Sequence, residues 1–287
     1  MAVKLICASH SPLMEFASPQ DQSQEQKVRA AFDTLSAEVK AYDPTLIITF
    51  GPDHFNGFFY DLMPSFCVGI RATAAGDWDY GKENNKIDVP EETALSLVRR
   101  VLDEGVDVAY SYRMQADHGV TQPLHFLCGG QLDRYPTIPI FINGAAAPMP
   151  TTKRTIALGR AVGQFIKSLN LENERVLVLG TGGLSHDPPT PQMGSVPPEV
   201  EEFLIAGRNP TEEARNARQA KIIAVGQKLA AGDTSVAVPL SPEWDIALLE
   251  KFKNADFAAM EAMTEAEIRR DGGRGGHIIV RGNKQLW

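Results

Sequence analysis

Leu46-Ile-Ile-Thr-Phe50 runs straight into Gly51-Pro-Asp-His54. A short, almost wholly apolar run bounded by turn-forming residues reads as a buried strand, and the glycine and proline mark where it stops. The histidine therefore sits just past a strand end. The same shape recurs along the chain. Val3 to Cys7 leads into Ala8-Ser9-His10-Ser11-Pro12, and Arg175-Val-Leu-Val-Leu179 delivers Gly180-Thr-Gly-Gly-Leu-Ser185-His186. Val106 to Tyr112 reads as another strand ahead of Gln115-Ala-Asp-His118-Gly119, and Ile138 to Ile142 as one ahead of Asn143-Gly144. Between these runs lie helical patterns. Val28, Phe32, Leu35 and Val39 recur at helical spacing before Asp43-Pro44; Pro90-Glu91-Glu92 opens a helix that Gly105 ends; Ile156 to Leu169 is amphipathic. After residue 190 the pattern turns mostly helical, over Glu199 to Ile205, Ala214 to Ala231 and Pro242 to Phe252, with Thr264-x-x-Glu267 as a capping box. Apolar strands alternating with helices predict an α/β fold, a single domain with a central, largely buried sheet flanked by helices and a helical C-terminal third.

At 287 residues, 43% hydrophobic and 22% charged, the chain has the composition of a globular protein with a large core. The formal charge of −8 argues against a nucleic-acid partner, which calls for clustered Lys and Arg, and points to a small-molecule substrate. No stretch reaches the roughly 18 to 20 apolar residues that span a bilayer, so no membrane partner is expected. The opening Met-Ala-Val-Lys-Leu-Ile-Cys7 lacks the features of a secretory signal, so a cytoplasmic location is expected. Cys7, Cys67 and Cys128 are widely spaced, without a CxxC pair, and read as small apolar residues rather than a disulfide framework or thiolate metal site.

Four of the six histidines occupy one kind of place, a polar or glycine-rich turn after an apolar run. Imidazole is both the commonest metal ligand and the side chain suited to proton transfer near neutral pH, so His10, His54, His118 and His186 are the candidates for a metal-dependent active site. His125, inside Pro123-Leu-His-Phe-Leu127, reads as structural. Asp53, Asp117 and Asp187 each adjoin one of the four, as ligands, as orienters of the imidazoles or as turn formers, the last two favoured by the sequence. The glycines of Gly180-Thr-Gly-Gly suggest a phosphate loop only weakly, because neither GxGxxG nor GxxxxGK[ST] is present, and the serines beside the histidines have no GxSxG elbow.

Cys7-Ala-Ser-His10-Ser-Pro-Leu, Gly51-Pro-Asp-His54-Phe-Asn-Gly-Phe-Phe-Tyr-Asp, Gln115-Ala-Asp-His118-Gly-Val-Thr-Gln-Pro-Leu and Gly180-Thr-Gly-Gly-Leu-Ser-His186-Asp-Pro-Pro, in that order, resemble the class III extradiol ring-cleavage dioxygenases. The resemblance extends from the first strand to about residue 270, and its most specific segment is the one around His54. It implies a single non-haem Fe(II) held by two histidines and a carboxylate, with open positions for a catecholate and O2. Carried over motif by motif, His10 and His54 become the iron ligands, His118 the proton donor and His186 the proton acceptor. The implied substrate is a catechol with a propionate or acrylate side chain, cleaved to a 2-hydroxy-6-oxonona-2,4-dienedioate, and the implied assembly is a homo-oligomer.

The resemblance breaks at one place. The family's third ligand is a glutamate in a late His-Glu motif, whereas here Gly275-Gly-His277-Ile-Ile-Val-Arg281 has Ile278 in that position and the chain stops at Trp287. A single catalytic domain over residues 1–287, truncated or altered after about 270, is therefore expected, with Glu267 and Asp271 as alternative carboxylates. Three other readings stand at this point: cleavage of plain or alkyl catechols, a zinc hydrolase on the same histidines, and a non-catalytic partner subunit.

Overall fold

The computed structural model describes residues 2–11, 22–81, 84–187, 190–233, 235 and 239–273. In chain order these form β1 (Val3–Ala8), α1 (Gln22–Tyr42), β2 (Leu46–Gly51), β3 (Phe66–Gly69), β4 (Ala72–Ala74), β5 (Lys86–Ile87), α2 (Glu91–Asp103), β6 (Ala109–Ser111), β7 (Met114–Ala116), α3 (His118–Leu127), β8 (Thr137–Ile142), α4 (Thr152–Ser168) and β9 (Val176–Thr181). Helices α5 (Pro198–Ala206), α6 (Glu212–Ala230), α7 (Pro242–Lys253), α8 (Phe257–Glu261) and α9 (Glu265–Gly272) follow. The α/β prediction holds, as do the covered sheet and the helical last third. No helix among the described residues is long and apolar enough to cross a membrane.

Six strands form the main sheet in the order β1-β9-β2-β8-β3-β6, parallel throughout except where β3 meets β8. Strands β2 and β9 lie inside it and every one of their residues is buried, the reason both read as continuous apolar runs. Alternate side chains take opposite faces. Ile48, Phe50, Val176 and Val178 pack with Leu97 and Val101 of α2 and Leu158 and Phe165 of α4. Ile47, Leu177 and Leu179 pack on the other face with Phe32 and Val39 of α1 and Leu124 and Leu127 of α3. Burying each such side chain contributes at most about 1.5–3 kcal/mol, so the strand interiors dominate the stability of the scaffold.

Register places the chemistry. Ala8 pairs with Thr181 and Phe50 with Gly180, so the carboxyl ends of β1, β9 and β2 finish side by side. His10, His54 and His186 follow those ends, where an open parallel sheet presents its loops to a ligand.

A second sheet, β5-β4-β7, was not legible in the pattern, because its strands are two or three residues long. The predicted strand from Val106 to Tyr112 is likewise shorter, a three-residue edge strand with Tyr110 exposed. In the small sheet β4 runs parallel to β7, with Ala74 opposite Ala116. That register sets Asp77 and Asp117, which follow the two strands, next to each other.

The loop after β2 crosses β7 at very short range. A Cβ on Gly57 would clash with the Gln115 carbonyl oxygen, a contact with backbone that no side-chain movement relieves. Gly57→Ala is therefore expected to destabilise the protein by more than about 3 kcal/mol, well beyond the ordinary cost of a point substitution, measured by chemical denaturation. A loss under about 1 kcal/mol would contradict this packing.

Candidate active site

The structure brings the four predicted histidines together. The ring centres of His10 and His54 are 5.2 Å apart, those of His10 and His118 5.8 Å, and those of His54 and His118 4.3 Å with the planes nearly parallel. His186 lies within electrostatic reach of His10 and His54. His125 stands apart, two turns along α3 from His118, with its ring 5.5 Å from that of Tyr80.

Each imidazole is held differently. Nδ1 of His54 donates to Oδ2 of Asp117 at 2.8 Å, which turns Nε2 away from the carboxylate. The same aspartate is the N-cap of α3, where Oδ1 accepts Gly119 N–H, and its Oδ2 also accepts His54 N–H and the Asn56 amide. Burial alone would raise the Asp117 carboxyl, but His118, His54 and these hydrogen bonds outweigh it and hold it well below the usual carboxylate range. His118, the first residue of α3, gives its ring Nδ1–H to Oδ2 of Asp77 at 2.5 Å and its backbone N–H to both oxygens of that carboxylate. Burial pushes the His118 pKa down, yet Asp117 and Asp77 together raise it above the ordinary value.

His186 has the opposite environment. Its Nδ1 lies 2.8 Å from the Leu184 carbonyl, which only accepts, so Nδ1 carries the hydrogen and Nε2 is left with its lone pair. Burial lowers its pKa against that carbonyl, and the neighbouring His54 lowers it further. The loop is fastened from α7, where Asp245 accepts both the Ser185 backbone N–H at 2.6 Å and its hydroxyl at 2.9 Å. A Cβ on Gly183 would sit 2.9 Å from the His186 ring, so this glycine of Gly180-Thr-Gly-Gly makes room for an imidazole.

His10 is 5% exposed, and its Nδ1 has no hydrogen-bond partner among the described residues. Burial and the neighbouring imidazoles of His54 and His118 hold its pKa well below the ordinary value. A desolvated, unpartnered nitrogen is costly in a finished protein and is what a metal ligand looks like before the metal is counted. Geometrically, His54, Asp117 and His118 have ligand atoms within 4.8 Å of one another, so a His/Asp cluster able to hold a metal is present. Asp117 already accepts four N–H groups, however, and acts here as the orienter of His54. Asp53 likewise serves its own loop, accepting Asn56, Gly57 and Phe58 N–H. Asp187 is buried beside His186.

The two alternative carboxylates are occupied elsewhere. Glu267 closes the capping box with Thr264 as predicted, and Asp271 pairs with Arg270 on the surface of α9. The end of α9 does reach the site, because His186 N–H donates to the Gly272 carbonyl. His277 and Ile278, where the resemblance breaks, lie outside the described residues.

Residues 4–281 match the model of the catalytic LigB subunit of aromatic ring-opening dioxygenases. The chain belongs to this family. Among its curated relatives, a Photorhabdus laumondii protein named 2,3-dihydroxyphenylpropionate/2,3-dihydroxicinnamic acid 1,2-dioxygenase is 58% identical, over 97% of this chain and 86% of that protein. Proteins of the same name from Cupriavidus pinatubonensis and Rhodococcus rhodochrous are 46% and 44% identical over the same shares. As a LigB-family protein the chain is an extradiol ring-cleaving dioxygenase, and the zinc-hydrolase and partner-subunit readings fall away. The LigB frame also shows what the sequence concealed. Asp77, Arg218 and Asp245 each support a histidine or its neighbours from a distant segment, and no motif surrounds any of them.

Proposed function

We propose that this dioxygenase opens the ring of a catechol bearing a propionate or acrylate side chain, using Fe(II) held by His10 and His54. The observation that carries the assignment is the unequal fastening of the four imidazoles. His54 is aimed through Nδ1 by Asp117, and His10 offers a buried nitrogen with no other partner. Bound by such imidazoles, Fe(II) supplies the electrons and open positions that bring a catecholate and O2 to react. The third, carboxylate ligand is left unassigned, since Glu267 and Asp271 are engaged elsewhere.

The remaining two histidines handle protons. His186 keeps a free lone pair on Nε2 and takes a catechol proton, which makes the ring electron-rich. His118, held through its Nδ1–H by the Asp77 carboxylate, gives up a proton from Nε2 as the ring opens. Substrate choice is taken from the printed names of the relatives. A cytoplasmic location is supported by three cysteines that form no disulfide. Assembly into a homo-oligomer is part of the same proposal, supported by Ile246 and Leu249 of α7, which are 62% and 49% exposed.

Iron-loaded protein incubated aerobically with 2,3-dihydroxyphenylpropionate is expected to consume O2 and form a yellow ring-fission product, at a kcat/KM at least about tenfold above that for unsubstituted catechol, a difference of about 1.4 kcal/mol. Equal turnover of the two catechols would remove the side-chain assignment. No O2 uptake with iron confirmed bound would remove the reaction.

A further inference from the structure

His118 and His54 stack face to face, yet they are served by different carboxylates. Asp117 takes His54, and its nearer oxygen is 3.6 Å from Nδ1 of His118. Asp77 takes His118, receiving the ring and the backbone N–H of that residue together. It is 2% exposed and stands forty-one residues away, on a turn in which Gly76, Trp78 and Asp79 all adopt positive φ, at 73°, 52° and 70°. For tryptophan and aspartate that conformation is strained and persists only where surrounding contacts impose it. The turn puts the Trp78 ring edge-on to His118 at 6.3 Å. Asn56 then bridges the two aspartates, its amide 3.3 Å from Asp77 and 3.1 Å from Asp117, and its own carbonyl is held by the Arg218 guanidinium. Two residues of this turn, Asp77 and Trp78, meet one imidazole.

We infer that Asp77 is a positioning residue for ring cleavage, one that holds Nδ1–H of His118 and so fixes the plane of the ring with Nε2–H toward His10 and His54. A carboxylate on Nδ1 fixes the orientation of an imidazole, and loss of such a partner leaves the ring free to turn its donating Nε2–H away. The inference rests on the reading of His118 as proton donor, and the experiment separates the two.

Full-length protein with 15N-labelled histidine, as wild type and as Asp77→Ala, Asp77→Asn and His118→Ala, is compared by histidine 15N shifts and by steady-state kinetics on 2,3-dihydroxyphenylpropionate after iron loading. In wild type the His118 signal is expected to report an Nδ1–H held in a strong hydrogen bond. In Asp77→Ala that hydrogen-bond signature is lost, kcat falls about 100-fold and KM stays within about threefold, the size of a mis-set general acid. Asp77→Asn keeps an oxygen that accepts Nδ1–H, so the hydrogen bond returns and kcat recovers to within about tenfold of wild type. If Asp77→Ala does not fold, Asp77→Asn decides alone, a loss of three- to tenfold in kcat supporting the inference and an unchanged kcat overturning it. A large loss of kcat with the Nδ1–H hydrogen bond of His118 unaltered overturns it as well. If His118→Ala is slow while both Asp77 variants match wild type, only this inference falls; if His118→Ala itself keeps full turnover, the donor assignment falls with it.

Discussion

His10→Ala is expected to weaken Fe(II) binding by more than about 100-fold and to abolish ring cleavage at ordinary iron concentrations, while the metal-free protein unfolds at nearly the same denaturant concentration as wild type. The binding loss exceeds what removal of a mere supporting partner brings, about 10–100-fold. The unchanged stability follows from the imidazole's surroundings. Its buried Nδ1 makes no hydrogen bond among the described residues, so truncation breaks none there and relieves a desolvated polar atom. A packing histidine would behave the other way, costing stability and leaving metal affinity intact. Iron titration and urea unfolding on the same preparation separate the two.

His118→Ala is the second large effect. Iron affinity and KM are expected to remain within about threefold of wild type, whereas kcat falls by about 10²–10⁴, the usual contribution of a general acid. Stability should also drop by about 1–3 kcal/mol, because Asp77 loses its ring partner and stays buried. Single-turnover kinetics place the defect. Substrate binding at the wild-type rate followed by slow ring opening supports the assignment, and a defect confined to binding removes it.

The strands and their histidines were legible because burial on both faces leaves an apolar run that ends abruptly in a polar turn, as at Phe50-Gly51 and Leu179-Gly180. The division of labour among the histidines came from motif resemblance. The structure gives three of them partners of their own, the carboxylates behind His54 and His118 and the carbonyl behind His186. What stayed hidden has a common cause. Strands β4, β5 and β7 are too short to show a period, yet their register brings Asp77 beside Asp117. Arg218 lies in α6, a helix exposed along most of its length, and reaches the site through the Phe55 carbonyl and Asn56. Asp245 likewise looks like a first-turn acidic residue of α7 and instead ties down the His186 loop. In each case the partner is remote in sequence, and local pattern carries no information about it.

The central claim is that iron is gripped by His10 and His54 while His118 and Asp117 serve other ends. A crystal structure of the Fe(II)-loaded protein, with anomalous difference maps recorded on both sides of the iron edge, tests it most directly. The account predicts a single peak at bonding distance from one nitrogen of each of His10 and His54, with Asp117 still on Nδ1 of His54 and Asp77 still on Nδ1 of His118. A peak bonded to His118 or to Asp117, with His10 outside the coordination sphere, would contradict it.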